Sequence, residues 1–436
     1  MGDRLEERKD FSEDVKVKVP QATQLAKSGK LSEGLELLMG LERNCRVGND
    51  FPNLKEVILT MVRLCHEAKD WEQLNTTATL ISKRRGQHSK SITAMVEECI
   101  PWLDETPDKA TKVAMLVALR DITDGKIFVE AQRAKLTRIL ADIKEKDGDI
   151  NGATEVMQEV HVETYGALDK KEKADFILEQ VRLTLAKKDY VRALIQSRKI
   201  NRKVMLHEDM QELKVRFYKL MIEYNTHEKD PWELCQDYHS IYDTAIVKAD
   251  EAVWQDALKS CVLFLVLSAY TNHQQDMLHR VAKYTELEKL PVYKDLLRQF
   301  TTPEIIGYPL PQQQELEGHP CLAEGGPQLL AKWKGDFHMR IVQHNIRVAS
   351  GYYKQISMKR LAQLLGLDED ATESHMSEMV SEGSLHARIN RPAGVVSFVC
   401  AKPSEEILSE WNSDICTLLQ LVETTAHLIS KEVATA

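Results

Sequence analysis

The chain has 436 residues, longer than one hydrophobic core ordinarily serves, so two or three modules are expected. Hydrophobic residues make up 43% and charged residues 29%, and glycine (19) and proline (13) are scarce, which favours a helical protein over a turn-rich β fold. The formal net charge of −9 leaves no chain-wide basic footprint for nucleic acid or an anionic membrane.

The opening stretch MGDRLEERKD is charged and has no apolar run, so no signal peptide is expected. Glu6 stands where N-myristoylation requires Ser or Thr. No two of the eight cysteines lie within five residues of each other, which excludes C-x-x-C and zinc-knuckle spacing. Most sit in apolar helical text, and a reduced intracellular compartment is the expectation.

A loose repeat occupies the first half. AKSGKLSEGLELL, EAKDWEQLNTTATLI, KEKDGDINGATEVM and LAKKDYVRALIQS each read as a helix end, a short turn, a large apolar residue and a second amphipathic run. The opening residues Leu31, Trp71, Ile150 and Tyr190 recur at about 40 residues, with one degenerate unit near Asp108, and Trp232 continues the series. That period predicts a solenoid of helix pairs. A short helix pair cannot bury its apolar face alone, so each stacks on the next. The strongest apolar run, Cys261 to Ala269, is about half the ~20 residues that a membrane span needs and predicts a buried core helix.

The segment from Thr302 to Pro327 holds five prolines and four glycines, which predicts a surface loop or partly disordered insert. Beyond it, Trp333 to Tyr353 reads as an amphipathic helix. Ser357 is a candidate N-cap for MKRLAQLLGL, with Gly366 as its stop. Asp368 to Glu382 predicts a further helix closed by Gly383, and SLHARIN and VVSFV predict a hairpin joined by RPAG. Three helices and a hairpin are the order of a winged helix. Ser404 to Val433 predicts one long helix whose Leu408, Trp411, Ile415, Leu418, Val422 and Ile429 step by three and four, the spacing of a coiled-coil seam.

No converging catalytic set is legible. His66-Glu67, His207-Glu208 and His227-Glu228 lack the second His of a zinc-protease helix. His161 and Glu163 lack a following P-C-x-x-C, and His319 with Cys321 lacks further ligands. Phosphate-loop and nucleophile-elbow patterns are absent from the text. No enzyme activity, cofactor or metal is expected. The helix that a DNA-reading winged helix would lay in the major groove is here DEDATESHMSEMVSE, with six acids and no Lys or Arg. Phosphate would repel it, so protein partners are expected and nucleic acid is not.

A helical solenoid ending in an acidic winged helix resembles the PCI family, whose members are scaffolds of the proteasome lid, the signalosome and translation initiation factor three. DGKIFVEAQRAKLTRILADIKE from Asp124, VETYGALDKKEKADFILEQVRL from Val162, KWKGDFHMRIVQHNIR from Lys332, YYKQISMKRLAQLL from Tyr352 and TAHLISKE near the C-terminus are similar to its proteasome-lid branch. The segment from Thr302 to Pro327 departs from it. The resemblance implies a mainly α chain: helical repeats over 1–230, a PCI module over 231–402 and an assembly helix over 403–436. Within the PCI module it implies a helical part at 231–301, an irregular loop at 302–327 and a winged helix at 333–402.

It also implies a non-catalytic scaffold role in a cytoplasmic and nuclear complex that degrades ubiquitinated proteins. Partners would be other lid subunits, and base or core-particle subunits beyond them, met through sheet edges and a C-terminal helical bundle. A signalosome subunit is the alternative, and a nucleic-acid-contacting PCI adaptor a further one. The candidate interface residues are Val395, Ser397 and Val399 for a sheet edge, and the six-residue stripe of the last helix.

Overall fold

A computed structural model describes residues 10–166, 168–323, 326–398 and 404–435. They form two compact units. The first comprises the chain to Tyr224 together with Thr244–Ile246, and the second comprises Asn225–Asp243 and the chain from Val247 on.

The first unit runs α1 (Ser12–Lys27), α2 (Leu31–Val47), α3 (Phe51–Glu67), α4 (Trp71–Lys83), α5 (Ser89–Trp102), α6 (Lys109–Thr123), α7 (Glu130–Lys146), α8 (Ile150–Gln158), α9 (Lys170–Ala186), α10 (Tyr190–Ser197) and α11 (Gln211–Glu228). The last of these reaches past the division. Neighbours in sequence pack as neighbours in space, α1 on α2, α3 on α4, α7 on α8 and α9 on α10, as a helical solenoid requires. The degenerate unit near Asp108 is α6, which Asp108 precedes.

One turn recurs between the paired helices. Residues 29, 49, 69, 148, 188 and 229 all have φ between 56° and 85°. The next residue is the N-cap and the one after it opens the following helix, so Leu31, Phe51, Trp71, Ile150 and Tyr190 are first helical residues. At Lys188 the amide donates to the Leu185 carbonyl (2.8 Å) and that of Asp189 to the Thr184 carbonyl (3.0 Å). These bonds close the end of α9 as a Schellman motif. The Asp189 carboxylate then accepts from the Arg192 amide and starts α10. One aspartate thus ends one helix and begins the next, which leaves no room for a longer loop. Close packing has its own requirement at Gly34, where a Cβ would stand 3.0 Å from the Ala22 carbonyl oxygen on α1.

The second unit begins with α12 (Pro231–Tyr242), the latter part of α13 (Ala245–Ala249), α14 (Glu251–Leu267), α15 (Asn272–Val281) and α16 (Pro291–Thr301). Cys261 to Leu267 of α14 are all buried, so the strongest apolar run is a core helix, and none of the helices searched is long and apolar enough to cross a membrane. Next come α17 (Gln313–Glu317), α18 (Pro320–Ala323) and α19 (Pro327–Tyr352).

The described residues of Thr302–Pro327 are largely exposed and irregular, with two short helices, α17 and α18, but they are anchored at several points. The Asn345 side chain on α19 accepts from the Ile306 amide (2.8 Å) and donates to the Ile306 carbonyl (2.9 Å), as a β-strand partner would. Tyr352 donates to the Pro303 carbonyl, and Ile306, Leu310, Leu316 and Leu322 are buried. Proline and glycine forbid long helices there, but side-chain amides and apolar anchors bind the segment without them.

The winged helix comprises the end of α19, β1 (Gln355–Ser357), α20 (Met358–Leu365), α21 (Glu369–Ser381), β2 (Arg388–Asn390) and β3 (Val395–Ser397). Ser357 caps α20 by accepting from the Arg360 amide, and Gly366 ends it at φ 68°. Ile346, Ile356, Leu361, Met376, Met379 and Val396 close its core. The chain ends in α22 (Ser404–Thr435).

Candidate assembly surfaces

The strand order of the sheet is β1-β3-β2. β3 is therefore central, with Ile356 opposite Val396 on one side and Ile389 opposite Val396 on the other. This corrects the expectation of an edge at Val395 and Ser397, since both lie on a strand paired on each side. Val399 lies outside the described residues. The turn at Arg391–Gly394 folds β3 back along β2, and β1 then closes its other side, so among the described residues the free edges belong to β1 and β2. The Phe398 amide donates to the Lys354 carbonyl and the Met358 amide to that of Gly394. Alternation then leaves the main-chain groups of Gln355 and Ser357 on the outer side of β1.

α21 presents its acids beside the wing. Glu373 accepts from Arg391 Nε at 2.7 Å, so one of the few basic groups near this helix is already neutralised.

α22 carries the stripe as the spacing predicts, and every side chain described on it is exposed. Leu408, Trp411, Ile415, Leu418, Val422 and Ile429 share one face, with Trp411 at 65% exposure. At about 100° per residue, Ile407 and Val433 extend that face and Leu421 and Leu428 widen it to roughly half the circumference. A single seam needs less.

One charged cluster escaped the reading of the sequence. The carboxylates of Asp142, Glu145 and Glu179 approach within 4.8 Å of one another, a spacing open to a metal ion. Arginines fill it instead. Arg182 makes a two-pronged pair with Glu145 (2.7 and 2.6 Å) and reaches Glu179 through Nε (2.7 Å). Arg216 bonds Asp175 (2.9 Å) and Glu179, and Arg138 bonds Asp175. Hydrogen bonds from Arg182 hold the Glu145 carboxyl below its usual range, whereas burial raises that of Asp142. The arrangement joins α7, α9 and α11. Its trace in the sequence is the 4,3 spacing of Arg138, Asp142 and Glu145, repeated by Asp175, Glu179 and Arg182.

Comparison with known proteins separates the candidates. The family model "PSMD12/CSN4, N-terminal" matches residues 33–250, half of the chain. It spans both proteasome and signalosome subunits. The PCI domain matches 324–399, and the C-terminal domain of 26S proteasome regulatory subunit RPN5 matches 405–435. The 26S proteasome non-ATPase regulatory subunit 12 of Dictyostelium discoideum is 39% identical over 94% of this chain and 91% of its own length. The chain belongs to the 26S proteasome non-ATPase regulatory subunit 12/RPN5 family. The yeast RPN5 of Saccharomyces cerevisiae is 36% identical over 97% of this chain and 96% of its own. Homolog A of Arabidopsis thaliana is 38% identical over 93% and 97%. The C-terminal match covers α22, the helix with the exposed apolar face.

Proposed function

We propose that this chain is a non-catalytic scaffold subunit of the regulatory-particle lid of the 26S proteasome, acting in assembly and hence in degradation of ubiquitinated proteins. The observation that carries the reading is α22. A helix with half its circumference apolar and exposed is a surface awaiting partners, and that width suits a place among several helices. The free edges of β1 and β2 add a second surface, for main-chain pairing with a neighbouring PCI subunit. Base or core-particle subunits are further partners in this reading, and the cytoplasm and nucleus its location. A signalosome subunit is the second reading, because the N-terminal family model covers both; the C-terminal match and the full-length relatives favour the proteasome.

The test is recovery of the tagged full chain from cells, with mass spectrometry of what comes with it. Stoichiometric proteasome lid subunits are expected. Signalosome subunits in their place would overturn the assignment. The purified chain should leave ubiquitin chains intact with and without added zinc.

A further inference from the structure

Within the second unit, α14, α15, α16 and α19 surround a cleft of about 190 Å³ whose lining includes Tyr270, Gln274, Thr301, Arg340, His344 and Arg347. The two arginines lie two turns apart on one face of α19. The Arg347 guanidinium lies over the Tyr270 ring, 4.0 Å from its centroid. Its Nη1 is buried and has no hydrogen-bond partner among the described residues. Arg340 gives Nε to the Leu267 carbonyl (3.0 Å) and Nη1 to Gln343 (2.7 Å). No ion pair to either arginine is found among the described residues. Burial pushes the Arg347 guanidinium down to about 10, and the like charge of Arg340 acts in the same direction.

A guanidinium in such surroundings, with an orphaned N–H and no counter-charge, is costly to fold around. The cost is recovered if an anion completes the site. The other donors nearby are already committed: the Thr301 hydroxyl to Leu297, that of Thr302 to Arg298, and the Gln274 amide to Leu265. His344 Nε2 stands 3.2 Å from the Glu304 carbonyl. Guanidinium N–H is the charged donor that remains, beside the Tyr270 hydroxyl. A planar fork matches a carboxylate edge-on; it also fits phosphate, but a phosphate ester would find the threonine hydroxyls and the Gln274 amide spent.

We propose that this cleft receives a carboxylate, the side chain of an Asp or Glu on a protein partner, gripped by Arg347 with Arg340 as the second positive charge. The partner as its source rests on the assembly reading above; the carboxylate site itself does not.

The probe is acetyl-Ala-Glu-Ala-amide, with its glutamine counterpart and inorganic phosphate at equal ionic strength, added to the purified full chain while thermal unfolding is followed. The glutamate peptide is expected to raise Tm in proportion to the logarithm of its concentration, and the glutamine peptide to leave it unmoved. Arg347→Met is expected to keep the helical circular dichroism and at least the wild-type Tm without ligand, because an unpaired buried charge is gone, and to lose the response to glutamate. Arg298→Met, outside the cleft lining, should keep that response. No response in the wild-type chain, an equal response in Arg347→Met, or a response to phosphate alone would each overturn the carboxylate site. In cells, Arg347→Met should be depleted from recovered lid. Loss of peptide binding with undiminished incorporation would overturn the partner as source while leaving the assembly reading intact.

Discussion

At Lys188 the backbone turns left-handed, φ 64°, in a residue with a Cβ and an exposed side chain. That conformation costs an L-residue about 1–2 kcal/mol, and glycine avoids it. Gly29 and Gly148 hold the same place in sister turns. Lys188→Gly should therefore stabilise the chain by about 1 kcal/mol, and Asp189→Ala, which deletes the cap on the Arg192 amide, should destabilise it by a similar amount. Urea unfolding followed by circular dichroism measures both, and a destabilised Lys188→Gly would show that the turn is not the site of strain. The large residues that open each second helix were legible because apolar bulk must recur where helices stack. The left-handed lysines were not, since lysine has no preference for that conformation. Only the Asp after them marks the turn.

Among the elements, Glu179 joins α9 to α11 and, through Arg182, to α7. Its side chain is 8% exposed while Arg182 and Arg216 are about a third exposed and keep Glu145 and Asp175. Glu179→Ala should cost about 2 kcal/mol, below the value for breaking a fully buried pair, because both arginines retain a partner. The same bonds set a pH dependence. Arg182 depresses the Glu145 carboxyl, so its contribution is complete above the ordinary carboxylate range and is lost as pH falls through the lowered folded value. Stability should decline on acidification below about pH 4, less steeply in Glu145→Gln.

In the winged helix, Gln355→Pro removes an outward N–H at the first residue of β1 and should weaken lid incorporation while the free chain keeps its fold. Ser397→Pro lies in the central strand and should unfold the wing itself, read as lost protection of the Ile356 and Arg388 amides in hydrogen exchange. Normal incorporation of Gln355→Pro would remove the β1 edge from the interface. Helices, caps and the hairpin of this module were legible from periodicity and glycine stops. The sheet order was not, because β1 has three residues inside helical text, and its arrival on the far side of β3 decides which strands are edges.

On the scale of the whole molecule, the two units close their own cores, while α22 remains a long helix with its apolar face in water. Leu408, Trp411, Ile415, Leu418, Val422 and Ile429 were legible as a stripe because three-four spacing is the simplest helical signal. Their exposure was not, since spacing is the same whether a face meets its own chain or another. An apolar face of this width gains nothing for the free chain, so its removal should not lower the stability of either unit. In the assembled particle the outcome reverses: truncating a large buried side chain such as Trp411 costs about 3–5 kcal/mol, enough to shift incorporation by roughly two to four orders of magnitude. Deleting residues from Ser404 onward, or combining Trp411→Asp with Leu418→Asp, should leave a soluble chain whose remaining helices give their full circular dichroism and whose Tm is unchanged. The same variants should be missing from assembled lid on native gels. A truncated chain that melts earlier, or that migrates with intact lid at normal yield, would make the stripe an internal packing surface and remove the principal support for the scaffold reading of this helix.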